Sequence, residues 1–236
     1  MCGRFTLAVD PADLQAAFPN FAFPSDLKPR FNIAPSQPVL VLPNDGKLRA
    51  DYYSWGLIPV WTKDISIGAH MINARAETLA EKSAFRGAYK YKRCIIFADG
   101  FYEWKAQPGA RSKIPYHIRL SSGQPFALAG LWDEWLSPDG SQIKSCSIIT
   151  TEPNALMSGL HNRMPVILPS DAYAEWLNPE PQKPEVLQHL LTAYPASEMA
   201  AHPVSTLVNS PANDRPELVA PIPADKSSRD PKRDFS

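Results

Sequence analysis

The sequence predicts an α+β fold: a largely antiparallel curved sheet or open barrel with peripheral helices, in a single domain. Short apolar runs bounded by turn residues outnumber the helical segments. The helical segments lie between these runs without the regular alternation that βαβ units require. The chain also has 25 prolines in 236 residues. This is well above the average share of about 5% and is typical of many turns and short strands.

Strands are predicted where apolar residues alternate or run together between turn signals. The clearest alternation runs from Ile114 to Leu120 and indicates a half-buried strand. An Asn-Asp-Gly turn at 44–46 separates two of the strands, and Asp-Gly at 99–100 is a second tight-turn signal. The predicted strands cover residues 4–8, 38–42, 48–57, 94–98, 101–105, 114–120, 126–131, 143–150, 164–168 and 204–207.

Helices are predicted from capping residues and helical spacing. Asp10 followed by Pro11 is a helix cap with proline at the first position, and the helix continues to about Phe18. Gly159 ends a short helix over 153–158. Further helices are predicted over 77–89, 170–177 and 184–194, and loops over 19–35 and 59–67.

We expect one domain over residues 1–215, because no linker divides this part of the chain. Residues 216–236 are expected to form a disordered C-terminal tail, since most of this segment is polar and charged and has no periodic pattern. No apolar stretch reaches 18 residues, so no membrane span is expected. The three cysteines have no CxxC or zinc spacing, which favours a reducing, cytoplasmic compartment with no metal or other cofactor.

The overall charge does not indicate a nucleic-acid partner. The chain has 24 basic and 24 acidic residues, so any basic face must be local. Residues 82–93 hold five basic residues, no acidic ones, and the aromatics Phe85, Tyr89 and Tyr91. Such a segment can bind phosphates and stack bases, or it can be a solvated basic face.

Cys2 is the most informative residue. Removal of a methionine before a small residue is a normal processing step, and it would give Cys2 a reactive α-amine beside its thiol. The reference pKa values are about 7.7–8.0 for the amine and about 8.5 for the thiol, so both react near neutral pH. This 1,2-aminothiol condenses with an aldehyde: the amine forms an imine and the thiolate closes a thiazolidine. Alternatively, Cys2 is a small buried hydrophobic residue.

Three further residues are candidates for the chemistry. Asn73 can orient an amine or a sugar oxygen, although its local sequence favours a helix cap. Glu103 lies between two aromatic residues, where desolvation raises a carboxyl pKa into the range of general acid–base catalysis; the alternative is an exposed strand residue. His161 is predicted on a loop, where functional residues concentrate, although a lone histidine is usually structural or solvated.

Together these motifs resemble the SRAP (SOS-response-associated peptidase) family, from Met1 to about Pro211. The matching segments are MCGRF at 1–5, WGLIPVW at 55–61, NARAET at 73–78, FRGAYKYKRCIIFADGFYEWK at 85–105 and HNRMPVIL at 161–168. The resemblance implies a DNA-damage protein that binds abasic sites in single-stranded DNA and forms a covalent thiazolidine crosslink after loss of Met1. It also implies an earlier view of the family as thiol autopeptidases.

The resemblance also implies roles for individual residues. Cys2 would be the nucleophile through both its amine and its thiol, and Asn73 would position the N-terminus and the sugar. Glu103 would transfer protons, and His161 would be its acid–base partner and catalyse reversal of the adduct. The DNA contacts would be Arg4, Arg75, Arg86 and Arg163, with Trp61 near the gap left by the missing base.

Two other functions stay open from the residues. A cysteine (auto)peptidase would use the thiol of Cys2 with His161 as base, and a non-catalytic single-stranded nucleic-acid-binding module would need neither. Abasic-site capture alone needs both the amine and the thiol, and its imine intermediate makes a strand-nicking lyase reaction chemically reasonable. We expect a monomer that takes DNA with abasic sites as its partner and associates with the nucleoid during DNA damage.

Overall fold

The computed structural model describes residues 2–110, 112–137 and 139–222. Thirteen strands are the main regular elements of the described residues. They are β1 (Phe5–Leu7), β2 (Arg30–Ile33), β3 (Pro38–Pro43), β4 (Asp51–Trp55), β5 (Asn73–Arg75), β6 (Arg93–Ala98), β7 (Gly100–Lys105), β8 (Ile114–Leu120), β9 (Phe126–Leu136), β10 (Gln142–Thr151), β11 (Met164–Pro165), β12 (Ile167–Leu168) and β13 (Met199–Pro203).

The helices in the described residues are short. The α-helices are α1 (Pro11–Ala17), α2 (Arg86–Tyr91), α3 (Ala155–Ser158), α4 (Tyr173–Trp176) and α5 (Pro184–Leu187). The 3₁₀ helices are Ile65–His70, Ala76–Thr78, Ser170–Ala172, Gln188–Leu190, Ala196–Glu198, Thr206–Asn209 and Pro216–Val219. Within the residues described, no helix is both long enough and apolar enough to cross a bilayer.

Five strands close into a barrel. The order is β10-β4-β3-β6-β9, and β9 pairs back with β10 to complete the ring. These pairings are antiparallel except for β4 with β10. At Gly130, β9 pairs with both neighbours, and an added Cβ would lie 2.9 Å from the Cys94 thiol, so the site requires glycine. The predicted fold class, a largely antiparallel curved sheet with peripheral helices in one domain, is confirmed.

A second sheet packs beside the barrel, in the order β13-β8-β7-β1-β2, and all its pairings are antiparallel. The tight turn predicted at 99–100 is not a hairpin, because β6 belongs to the barrel and β7 to this sheet. Asp99 lies at the crossing and holds β1 in place. Its carboxylate accepts hydrogen bonds from the Thr6 hydroxyl (2.5 Å) and from the backbone N–H groups of Ala8 (2.7 Å) and Val9 (2.8 Å).

Several predicted elements differ from the structure. The continuous helix predicted over 77–89 is interrupted: only the 3₁₀ helix Ala76–Thr78 and α2 form at its two ends. Leu79 and Phe85 are both buried but are six residues apart, which does not place them on one helical face. The last strand is β13 rather than 204–207. Val204 and Val208 are both buried and have the spacing of a helical turn, which the Ser205 hydroxyl caps. The predicted loop over 19–35 contains β2.

The described part of the expected tail includes the 3₁₀ helix Pro216–Val219. Its Leu218 is buried in a small apolar cluster with Tyr102, Val204 and Val208, so it packs against the second sheet. Residues 223–236, the remainder of the expected tail, lie outside the described residues.

His117 is a buried residue of β8, within the second sheet. Its Nε2 lies 3.4 Å from the Thr6 hydroxyl, and its ring centroid is 5.5 Å from that of His202. A Cβ at position 100 would lie 2.1 Å from Nε2, so Gly100 leaves the space that the ring occupies. Burial, with smaller contributions from His202 and Arg119, lowers the pKa of His117 to about 3.

We expect His117 to make the fold sensitive to acid. The pKa of histidine in the unfolded chain is about 6.5. Below that pH the unfolded chain binds a proton at this histidine and the folded chain does not. The free energy of unfolding therefore decreases by up to about 1.4 kcal/mol for each pH unit as the pH is lowered from about 6.5 to about 3. Urea unfolding at pH 7.0, 5.5 and 4.5 should show a much shallower pH dependence for His117→Gln than for wild type. The exposed His70→Gln is the control, and equal slopes in all three proteins would contradict the assignment.

Candidate active site

Cys2 lies just before β1, between the second sheet and the barrel. Its side chain is fully buried, and its thiol is 3.8 Å from the Arg4 carbonyl, to which it donates. Burial raises the pKa of the thiol well above its usual range, and the negative charge of Glu103 acts in the same direction. With Met1 attached, the site therefore holds a neutral thiol rather than a thiolate.

Asn73 joins the barrel to the N-terminal segment. It begins β5, which pairs in parallel with β10 at Ile148, and its side-chain N–H donates to the Cys2 carbonyl at 2.8 Å. The interpretation of Asn73 as a helix cap is wrong, because Arg75 occupies the cap position of the following 3₁₀ helix. The Asn73 side-chain oxygen is buried and has no hydrogen-bond partner among the described residues.

Glu103 and His161 approach each other from opposite sides of the site. Glu103 is on β7 and only 3% exposed, which excludes the alternative of an exposed strand residue. His161 follows α3, and its Nε2 lies 4.0 Å from a carboxylate oxygen of Glu103, too far for a direct hydrogen bond. The backbone N–H of Arg163 donates to His161 Nδ1 at 3.1 Å, so the neutral ring carries its proton on Nε2, facing Glu103.

Burial sets the protonation of this pair. It raises the pKa of Glu103, an effect that nearby positive charges such as that of Lys113 partly oppose. Partial burial lowers the pKa of His161, and the charge of Lys113 lowers it further. At neutral pH the imidazole is therefore neutral, while the carboxyl takes up a proton more readily than an ordinary glutamate. Two groups whose pKa values shift toward each other can exchange protons with a bound substrate.

Two of the four predicted DNA-contacting arginines have partners within the protein. The Arg163 guanidinium donates to both carboxylate oxygens of Glu77 (2.8 and 2.9 Å) and to the Thr150 carbonyl (2.6 Å). Arg4 donates to the Asn32 side-chain oxygen (2.8 Å) and to the Val208 carbonyl (2.7 Å). A phosphate that binds here must therefore displace Glu77 from Arg163, or accept hydrogen bonds from the N–H groups of the two guanidinium groups that remain available.

The other predicted DNA contacts are more exposed. Arg75 is at the end of β5, close to the site. Trp61, 59% exposed, and Arg86 line a separate groove of about 580 Å³, which also includes Tyr91 and Lys92. None of Cys2, Asn73, Glu103 or His161 lines that groove.

The basic segment 82–93 is only partly available to a ligand. Phe85 and Tyr89 are buried, so Tyr91 is the exposed aromatic residue of this segment. Arg93 is fully buried, and its guanidinium donates to five backbone carbonyls, including that of Trp176. Lys92 pairs with Asp133 at 2.6 Å. Of the three rings, only that of Tyr91 is therefore exposed enough to stack on a base.

Asn32 is a site residue that sequence reasoning missed. Its fully buried side chain accepts from Arg4 and donates to the carbonyls of Val208 (3.3 Å), Ser210 (3.0 Å) and Asn213 (2.7 Å). Asn32 thereby connects the C-terminal segment to Arg4, and the Arg4 carbonyl in turn accepts a hydrogen bond from the Cys2 thiol. Nothing in the local sequence marks this role, since it depends on a segment more than 170 residues away.

Comparisons with known proteins identify the family to which the chain is similar. A family model described as SOS response associated peptidase (SRAP) matches residues 1–211. The abasic site processing protein YoqW of Bacillus subtilis (strain 168) is 50% identical over 222 residues, covering 93% of this chain and 99% of that protein. The abasic site processing protein HMCES of Gallus gallus is 31% identical, covering 94% and 78%. A crystal structure from Bacteroides thetaiotaomicron has a TM-score of 0.82 at 28% identity, covering 94% and 100%.

We expect Asn32→Ala to loosen the N-terminal segment and expose the Cys2 thiol. If the lost hydrogen bonds lower the free energy of local opening by about 1.4 kcal/mol, the open state becomes about tenfold more populated, and Cys2 is alkylated about tenfold faster. Iodoacetamide labelling followed by peptide mass spectrometry reports all three cysteines at once. Cys94 and Cys146, buried in the barrel, are internal controls, and Asn20→Ala is the matched surface variant. Labelling of Cys2 at the wild-type rate would show that Asn32 does not hold this segment.

Proposed function

The chain belongs to the SOS response associated peptidase (SRAP) family, and on this premise we propose that it captures abasic sites in single-stranded DNA as a covalent thiazolidine on Cys2. The observation that carries the proposal is the placement of Cys2 against Asn73, with the titrating pair Glu103 and His161 beside it. The relatives named abasic site processing proteins support a role in the response to DNA damage.

Capture begins with removal of Met1, which converts the backbone nitrogen of Cys2 into an α-amine. The ring-opened abasic sugar presents an aldehyde, and it lacks a base whose extrusion from the stack costs energy. The amine adds to the aldehyde carbon and a water molecule leaves, which gives an imine. The thiol then adds to the imine carbon as its proton passes to the nitrogen, and the thiazolidine ring closes.

Glu103 and His161 carry the protons in this sequence. A carboxyl with a raised pKa can protonate the departing hydroxyl, and a neutral imidazole can accept the proton that the amine loses. Asn73 holds the Cys2 carbonyl by its side-chain N–H, which leaves its side-chain oxygen to orient the amine or a sugar hydroxyl. The same groups, acting in reverse, would open the ring and release the strand.

One side reaction follows from the same intermediate, and one alternative function uses the same cysteine. The imine makes the neighbouring sugar carbon more acidic, so loss of a proton there leads to β-elimination and a nicked strand, which is lyase activity. A thiol peptidase reaction, limited to removal of Met1, would use Cys2 as acyl nucleophile and is the alternative function. The single-stranded preference, monomeric state and nucleoid association stay predictions.

We expect capture to require both reactive groups of Cys2. Cys2→Ala retains an α-amine, so it should bind abasic single strands and form a borohydride-reducible imine, but no heat-stable adduct. A variant with two residues retained ahead of Cys2 keeps the thiol without the amine and should form neither product. Intact mass and denaturing gels measure both species. A heat-stable adduct in full yield from the extended variant would overturn the mechanism, and cleavage of a peptide substrate by it would favour the peptidase.

We expect Glu103 and His161 to control rates rather than binding. General acid–base catalysis contributes about 10²–10⁴-fold, so Glu103→Gln should slow single-turnover crosslinking within that range while DNA affinity changes less than about threefold. His161→Gln should slow adduct reversal more than it weakens binding. The wild-type crosslinking rate should fall as the pH drops through the lowered pKa of His161, and His161→Gln should lose this dependence.

Glu185→Gln and His70→Gln, both exposed, are the matched controls for this experiment. Crosslinking and reversal at the wild-type rate in Glu103→Gln and His161→Gln, across pH 5.5 to 8.5, would remove both residues from the mechanism.

A further inference from the structure

A second cleft, of about 450 Å³, opens beside His161 and has no role in the chemistry described above. One wall is the end of β7, with Lys105 and Ala106, and the other is the loop after α3, with Gly159, His161 and Asn162. Its volume is within the range of pockets that bind small ligands. The cleft therefore has room for a part of the substrate adjacent to the part that is bound at Cys2.

The cleft carries positive charge directed at the site. Lys105 is two residues after Glu103 on β7, so the two side chains are on the same face of the strand. Lys105 pairs with Ile114 of β8, which places Lys113 at the same end of the sheet. The charge of Lys113 acts on both Glu103 and His161. The ion pairs among the described residues leave both lysines without a carboxylate partner.

We propose that this cleft binds the phosphodiester on one side of the abasic sugar, through Lys105 and Lys113. The inference rests on the proposed function. A sugar at Cys2 is flanked by two phosphates, and the strand must leave the site in two directions. Arg75 ends β5 on the barrel side of the site, whereas the cleft beside His161 includes the end of β7 in the second sheet, so the two basic regions can contact different phosphates.

Both lysines are exposed and lie at the loop end of the β7–β8 hairpin, where a phosphate can reach them. An ammonium group is a compact cation that binds a phosphate without bidentate geometry. Each contact to a single strand contributes about −0.7 to the slope of log affinity against log salt. Loss of one contact therefore weakens binding by about eightfold at about 50 mM salt.

The test compares Lys105→Ala and Lys113→Ala with Lys183→Ala, a matched control at the exposed start of α5. Each protein is titrated with three single-stranded oligonucleotides that carry a reduced, unreactive abasic site. One has nucleotides on both sides of the site, one lacks the 5′ side, and one lacks the 3′ side. Titrations at about 50 and 200 mM salt give the slope for each combination, and thermal unfolding confirms that the variants fold.

We expect Lys105→Ala and Lys113→Ala to bind the complete oligonucleotide about eightfold more weakly than wild type, with a slope shallower by about 0.7. The same loss of affinity should be seen with one truncated oligonucleotide. It should be absent with the other, because that oligonucleotide lacks the phosphates that the cleft binds. Lys105→Arg should recover most of the affinity. A penalty that is equal for both truncated strands, or is shared by Lys183→Ala, would overturn the proposal.

The proposed capture reaction is tested separately, with wild-type protein and unreduced abasic DNA. If wild type forms no adduct, capture is wrong, and the direction-dependent penalty still decides whether the cleft binds a strand. If wild type forms the adduct but the lysine variants bind every oligonucleotide like wild type, capture stands and the cleft has no part in it.

Discussion

The hydrogen bond from the Asn73 side chain to the Cys2 carbonyl is the contact on which the site depends. Asn73 belongs to the barrel through β5 and β10, while Cys2 leads into β1 of the second sheet. The site is therefore formed where two separately hydrogen-bonded sheets meet. Neither sheet contains it alone, because Glu103 comes from the second sheet and His161 from a loop next to the barrel.

The N-terminal segment is held at several points besides Asn73. Asp99 binds the residues at the end of β1, and Asn32 connects Arg4 to the C-terminal segment. The Asp99 carboxylate accepts three hydrogen bonds from the residues of β1 and just after it, and the Asn32 amide makes one to Arg4 and three to the C-terminal segment. They fix the position of Cys2, and the proposed capture requires such a fixed position because the amine and the thiol would both have to reach one carbon atom.

Burial sets the pKa values of the ionisable groups in the site. It keeps the Cys2 thiol neutral, raises the pKa of Glu103 and lowers the pKa of His161. These shifts arise because the charged forms lose their hydration in the space between the sheets. Arg163 is instead paired with the exposed Glu77, so a phosphate that approached this arginine would compete with a carboxylate already in place.

Local patterns in the sequence determined the elements that depend on neighbouring residues. The alternation in β8, the Asp10 cap of α1 and the glycine after α3 are all read within a few residues, because side-chain direction and capping are local properties. The position of Cys2 after Met1, on which the proposed aminothiol chemistry rests, is likewise a property of the sequence alone. The ordered motifs also singled out four residues that the structure places close together, and their catalytic roles stay a prediction.

Tertiary structure decided what depends on distant segments. Asn73 is a strand residue rather than a cap because β5 pairs with β10, more than 70 residues later. Phe85, Tyr89 and Arg93 are buried, so a segment that reads as a basic aromatic surface is largely core. Asn32, the partners of Arg4 and Arg163, and the cleft at Lys105 likewise arise from contacts across the fold. Burial and hydrogen-bond partners are properties of the packed chain, and no local window of sequence contains them.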